Sequence, residues 1–166
     1  MRHLLRTATA QDHAQVDEAF SRFDLAGAEG RAGFLAAHRG ASADCLARGA
    51  RSEPECLDMV ARLAGGGSGR VSRGGFDPLA IRYVFLGARF GLGVLKRQWI
   101  EAGGPANEPL FDETGPGEEW RGLLGVLATL DPESPRAARI LDDARAIFAI
   151  FALHASHGTT DRLEPA

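Results

Sequence analysis

The chain has 166 residues, 45% of them hydrophobic and 25% charged, with a net charge of −3 and a pI near 5.9. That length suits one domain with one core, and the acidic balance with no large basic block argues against a nucleic-acid surface. Two cysteines, Cys45 and Cys56, stand without a Cys-x-x-Cys spacing, which excludes a disulfide framework or zinc site and points to reduced buried thiols in a cytoplasmic protein.

The N-terminus is too short in apolar residues for a signal peptide, and no run reaches the roughly 18 apolar residues of a membrane span. Residues 7–23 read as the first helix. Thr7 or Thr9 would cap it, and Ala14, Val16, Ala19, Phe20 and Phe23 follow at a broken helical period. A second helix is expected over 30–39, ending at Gly40, then two more over 42–51 and 54–64. Gly65-Gly66-Gly67-Ser68-Gly69 reads as a flexible connector. It lacks the Gly-Lys-[Ser/Thr] ending and the preceding strand of a phosphate loop.

Asp77-Pro78 opens the next helix, with Asp as cap and Pro in the first turn, and the pattern runs to about Ala102. Residues 105–116 read as a polar loop. Glu118–Leu130 and Arg136–Ser156 complete the series, the last with Ile140, Leu141, Ala144, Ile147, Phe148, Phe151 and Ala152 on one long face. No period-2 strand is visible. The expectation is an all-α fold of about seven helices, a single domain over 1–166, with 157–166 as a frayed tail.

Within the long helix the run Tyr83–Lys96 carries Gly87, Gly91 and Gly93. Each glycine costs roughly 1 kcal/mol relative to alanine inside a helix. Gly87 and Gly91 are four apart and share a face. Two bare patches serve either close packing against another helix or a flat ligand lying on the backbone.

Of five histidines, His3 and His157 lie near the ends and read as exposed. His38 and His154 sit near expected helix ends, where they would complement the dipole. His13 lies inside the first helix among small residues. A lone helical histidine is more often structural than a metal ligand. Arg6 precedes it by seven residues, two turns, and would share its side of a helix that starts early enough. The acidic pairs Glu118-Glu119 and Asp142-Asp143 read as solvated faces. No Gly-x-Ser-x-Gly, His-Glu-x-x-His or paired Cys/His ligand spacing occurs.

Two separated segments resemble the haem oxygenases. Leu5-Arg6-Thr7-Ala8-Thr9-Ala10-Gln11-Asp12-His13-Ala14-Gln15-Val16-Asp17 is similar to that family's N-terminal helix, in which Leu, a basic residue, two variable positions, Thr, three variable positions and His recur. Tyr83–Lys96 is similar to the distal helix, Tyr-Val-x-x-Gly-Ser-x-Leu-Gly-Gly in many bacterial members. Ile140–Phe148 looks like the last helix, with its acidic pair, Ala, basic residue and aromatic. The three segments fall in the family's order.

The resemblance implies haem as substrate and prosthetic group, held between the first helix and the glycine-rich helix. His13 would be the iron ligand, Arg6 a propionate contact, and Asp17 the partner of the outer ring nitrogen. Gly87 and Gly91 would admit the macrocycle, with Tyr83 in the same motif and Arg145, or Arg82, assisting. The products would be biliverdin, carbon monoxide and iron, made with O2 and electrons from an external reductase or ferredoxin, since the chain shows no flavin or nicotinamide motif. Two positions depart from the pattern. Ala88 replaces a Ser or Asp that orders distal water, and Leu92 replaces the second glycine of the Gly-Gly pair, where it would narrow the distal pocket. These departures motivate a non-catalytic haem or bilin carrier or sensor as the alternative. A helical interaction protein without haem is the third reading.

Overall fold

Thr9 divides the N-terminal helical run. In the computed structural model, which describes residues 1–112 and 117–160, α1 spans Arg2–Ala8 and α2 spans Ala10–Ser21. The Thr9 backbone leaves helical values (φ −103°, ψ 5°), and its hydroxyl donates back to the Leu5 carbonyl at 2.8 Å instead of capping forward. Such back-bonding bends helices. The expected start at Thr7 or Thr9 is thereby corrected: the helical run begins at Arg2, and Arg6 and His13 lie on different helices.

The third helix, α3, spans Ala28–Arg48 and passes unbroken through Gly40, where two shorter helices were expected. The bare Gly40 is where His154 packs: a Cβ there would fall 2.6 Å from His154 Nδ1. Gly49 ends the helix at φ 74°, a conformation glycine adopts without strain. Pro54–Leu57 forms a 3-10 turn leading into α4, Asp58–Leu63. The glycine run after it is no loose connector. Gly65, Gly66 and Gly67 all have positive φ, and the first two donate back to the Arg62 and Ala61 carbonyls, closing α4.

As expected, α5 spans Pro78–Glu101 behind an Asp77 cap whose Oδ1 accepts from the Leu79 N–H at 3.0 Å. The stretch expected to be a polar loop contains a 3-10 turn, Pro109–Phe111, that buries Leu110 and Phe111; residues 113–116 lie outside the described residues. Two more helices follow, α6 over Gly117–Thr129 and α7 over Pro135–Thr160. Residues 157–160 are helical, so the fraying expected from His157 does not begin there, and 161–166 lie outside the described residues. Among the described residues the fold is all-α, with seven α-helices and no strand beyond isolated bridges from Ala50 to Val71 and Phe76.

The axis is α7. Ile140, Ala144, Ile147 and Ala155 have no exposed surface, and α2, α3 and α5 all pack on this helix. The face read from periodicity is the buried one. Asp143 departs from its reading as a solvated residue. It is buried, accepts from Arg51 at 2.6 Å and from the Asp77 N–H at 2.8 Å, and Arg136 pairs with Asp77 at 3.3 Å. A buried carboxylate needs such partners, and this one pins the start of α5 to α7. Among the described residues α5 alone is long and apolar enough to cross a membrane. Its Leu79, Ile81, Val84, Phe85, Leu86, Leu92 and Trp99 are core residues, which accounts for its apolar content.

Candidate functional site

Because α2 and α5 both lie on α7, their far flanks are free to form a groove. The two helices meet where Thr9 Oγ1 stands 3.5 Å from Tyr83 Oη. Further along both chains they enclose a groove of about 760 Å³, lined from α2 and the turn after it by Asp17, Phe20, Ser21 and Leu25, and from α5 by Gly91, Val94, Leu95, Gln98 and Ala102. The helices therefore run in the same direction, and His13 and Gly87 fall in sequence between that contact and the groove, which neither of them lines.

His13 is one turn before Asp17 on the same face, and its Nδ1 lies 3.0 Å from Asp17 Oδ2. A carboxylate at this position sits beside Nδ1 and away from Nε2. No side chain or carbonyl among the described residues hydrogen-bonds Nε2. The ring is braced edge-on by Phe148 of α7, centroids 5.7 Å apart.

The opposite wall explains the glycines. A Cβ built on Gly91 meets nothing within 4 Å, and one on Gly87 meets only the rim of Trp120 at 3.8 Å, an ordinary contact. No helix presses on Gly91, so close helix packing is not what it serves, whereas Gly87 lies against Trp120 of α6. The contrast is Gly30, where a Cβ would collide with the Asp24 backbone. Gly93 also has open space around it but does not line the groove, and nothing in the structure explains it.

The other expected residues divide. Tyr83 lies outside the groove lining, stacked on Trp120 with centroids 5.9 Å apart. Ala88 is exposed beside the bare stripe and brings no polar atom to it. Leu92 is 3% exposed and points into the core, so it does not narrow the groove as expected. Arg6 is exposed on α1, across the Thr9 break from His13, and is not among the groove-lining residues. Arg145 donates from Nη2 to the Ala8 carbonyl at 3.0 Å and pairs with Asp12 at 3.6 Å, bracing the α1–α2 junction. Arg82 pairs with Glu53 at 3.4 Å. Phe20, Ser21, Val94 and Gln98 were not singled out from sequence, although they continue the i+3/i+4 stripes that start at His13 and Gly87.

His38 is not at a helix end but inside α3, partly buried, its ring 4.3 Å from that of Phe20 and 4.7 Å from that of Phe34. Loss of solvation pushes its pKa down to about 3. The unfolded chain binds this proton near pH 6.5 while the folded chain refuses it, so stability is full above that pH and falls as pH drops toward 3. Urea unfolding should show the wild type losing about 1–2 kcal/mol between pH 7.5 and 5, and His38→Leu should flatten that slope. His154, also placed near a helix end, instead pairs with Asp44 at 2.8 Å. Burial raises the Cys45 thiol to about 12 and the Cys56 thiol to about 11, so neither is a nucleophile.

Among the described residues no three His, Cys, Asp or Glu side chains converge as a bare-metal site. The arrangement instead offers an exposed imidazole on α2, one turn before Asp17, and a largely apolar groove that Asp17 and Gly91 line and His13 does not. The volume lies within the range of small-molecule and cofactor sites. No protein-family model, curated protein or solved structure matches the chain.

Proposed function

We propose that this protein is a haem oxygenase with the macrocycle seated in the α2/α5 groove. The observation that supports this reading is Gly91, bare and with open space around it, lining a largely apolar groove whose opposite wall carries Asp17, one turn after His13. A planar tetrapyrrole with one iron ligand needs an imidazole, a wall without Cβ atoms and an apolar slot, and His13, Gly91 and the groove are the residues proposed to meet those needs.

When bound, haem supplies both the oxygen-activating iron and the substrate ring, cleaved to biliverdin, carbon monoxide and iron with O2 and electrons from an external ferredoxin or reductase. His13 would supply the imidazole that holds the iron, with Asp17 beside its Nδ1 to orient the ring. The bare backbone at Gly91, with Gly87 one turn earlier, would let a flat ring lie close to α5, which is catalysis by positioning. Phe20, Phe23 and Phe34 keep water from the groove's floor. Arg6, exposed on α1 and outside the groove lining, would reach a propionate only by its long side chain. Buried thiols at Cys45 and Cys56 suit a reducing compartment, the cytoplasm.

The absence of a polar side chain at Ala88 favours a second reading, a haem or bilin carrier on the same site. Titration of the purified protein with hemin should give a stoichiometric Soret band. Addition of a reductant and oxygen should then bleach that band and yield a bilin absorbance. A Soret band that persists under reductant and oxygen selects the carrier, and no Soret change removes both readings.

A further inference from the structure

We infer that the exposed side of α5 is a self-association surface, on which a second copy of this chain lays its own α5 antiparallel across a two-fold axis, independently of what the groove binds. Phe90 and Val94 stand 54% and 48% exposed. With Gly91 and Gln98, also exposed, they share one side of the helix within an arc of about 100°, and none of the four is charged. Single apolar side chains on a surface need no explanation, but a row of them marks a contact. The cations of this helix stretch lie off the row. Arg89 is paired with Glu119 of α6, and Arg97, two turns after Phe90, is on the flank toward α6, where Phe90 meets Trp120 with centroids 5.6 Å apart.

Shape and charge select a second copy. A surface that pairs with itself about a two-fold axis must be its own complement. Gly91 is a hollow with open space around it, and Val94, three residues on, is a knob. An axis midway between them sets Val94 of each copy over Gly91 of the other. The same axis lays the Tyr83 end of one α5 beside the Ala102 end of the other, and these ends differ in charge. Thr9 stands 3.5 Å from Tyr83 and brings α1 to the first end, where Arg2 and Arg6, one turn apart, are exposed and form no ion pair among the described residues. At the second end Arg31 Nη1 holds the Leu25 and Ala102 carbonyls at 2.8 Å and 2.9 Å, which places the exposed Asp24 near the exposed Glu101. The arginines there are engaged, Arg22 by Glu18 and Arg31 by three carbonyls. Antiparallel pairing sets Arg6 against Glu101 and Asp24 twice, whereas parallel pairing would set like charges together. The shared face includes Gly91, Val94 and Gln98 of the groove, so a groove ligand competes with the second copy.

Sedimentation velocity of the full chain, from micromolar to millimolar concentration at low salt, should show a species of twice the 17.6 kDa chain mass. Val94→Glu should raise the dimer dissociation constant at least about tenfold. Arg6→Glu and Glu101→Arg should each raise it about fivefold, and the double variant should return to the wild-type value, because reversed charges still match. Added NaCl should weaken the wild-type dimer. A wild type that stays monomeric overturns the inference, as does a dimer that a folded Val94→Glu leaves intact or a double variant no tighter than the single ones. Should Val94→Glu not fold, Arg6 and Glu101, both exposed, decide alone. Hemin keeps the two readings apart. A dimer that gives no Soret change removes the haem reading only, and a monomer that gives a Soret band removes the self-association surface only.

Discussion

His13→Ala should fold normally and lose the hemin Soret band. The side chain is 57% exposed and its only polar partner is the equally exposed Asp17, so truncation belongs with surface substitutions that move stability by about 0.5 kcal/mol or less. Its effect on the ligand should be of a different order. Removing the sole axial nitrogen leaves the macrocycle held by apolar contact alone, and affinity should fall about 100-fold, close to 2.7 kcal/mol. Free imidazole added to the variant should restore the band, because the His13 side chain is exposed and its removal leaves the position open to a small molecule. An unchanged spectrum and affinity in His13→Ala would remove the axial assignment.

Gly91→Leu should make the protein more stable and less able to bind hemin. In a packed interface a new side chain strains the core. At Gly91 there is open space, so the substitution gains helix propensity, about 0.5–1 kcal/mol by urea unfolding, with no clash to offset it. The same leucine projects into the groove opposite Asp17 and Phe20, and hemin affinity should drop by at least about tenfold. Opposite movement of stability and binding at one position is the signature of a residue kept for a ligand. A destabilised Gly91→Leu that still binds hemin would return the glycines to a packing role. Gly87 is the less clean probe, since a larger side chain there meets Trp120 as well.

How much of this was legible from residues alone follows from which interactions are local. The long α5 was visible because Asp77-Pro78 is a cap signal read within four residues, and the buried face of α7 because helical spacing repeats over six turns. Gly40 misled, since a glycine reads as a stop unless one knows that His154, over a hundred residues away, needs its bare surface. Asp143 misled for the same reason: its partners Arg51 and Asp77 come from distant loops. At the site, His13 with Asp17 is an i, i+4 pair and could be read directly. The break at Thr9, which parts Arg6 from His13, follows from a hydroxyl choosing Leu5 over a forward cap, and propensity does not decide that choice. Arg31, whose Nη1 lies 2.8–3.0 Å from the Leu25, Ala26 and Ala102 carbonyls, carried no local signal, because these acceptors come together only once the α2–α3 turn and the end of α5 meet.

The shared acceptor at Asp143 has a consequence of its own. Arg51 and the Asp77 N–H both donate to it, so the segment around residue 51 and the start of α5 are fastened to α7 by one carboxylate and should come away from it as a single unit when the fold opens locally.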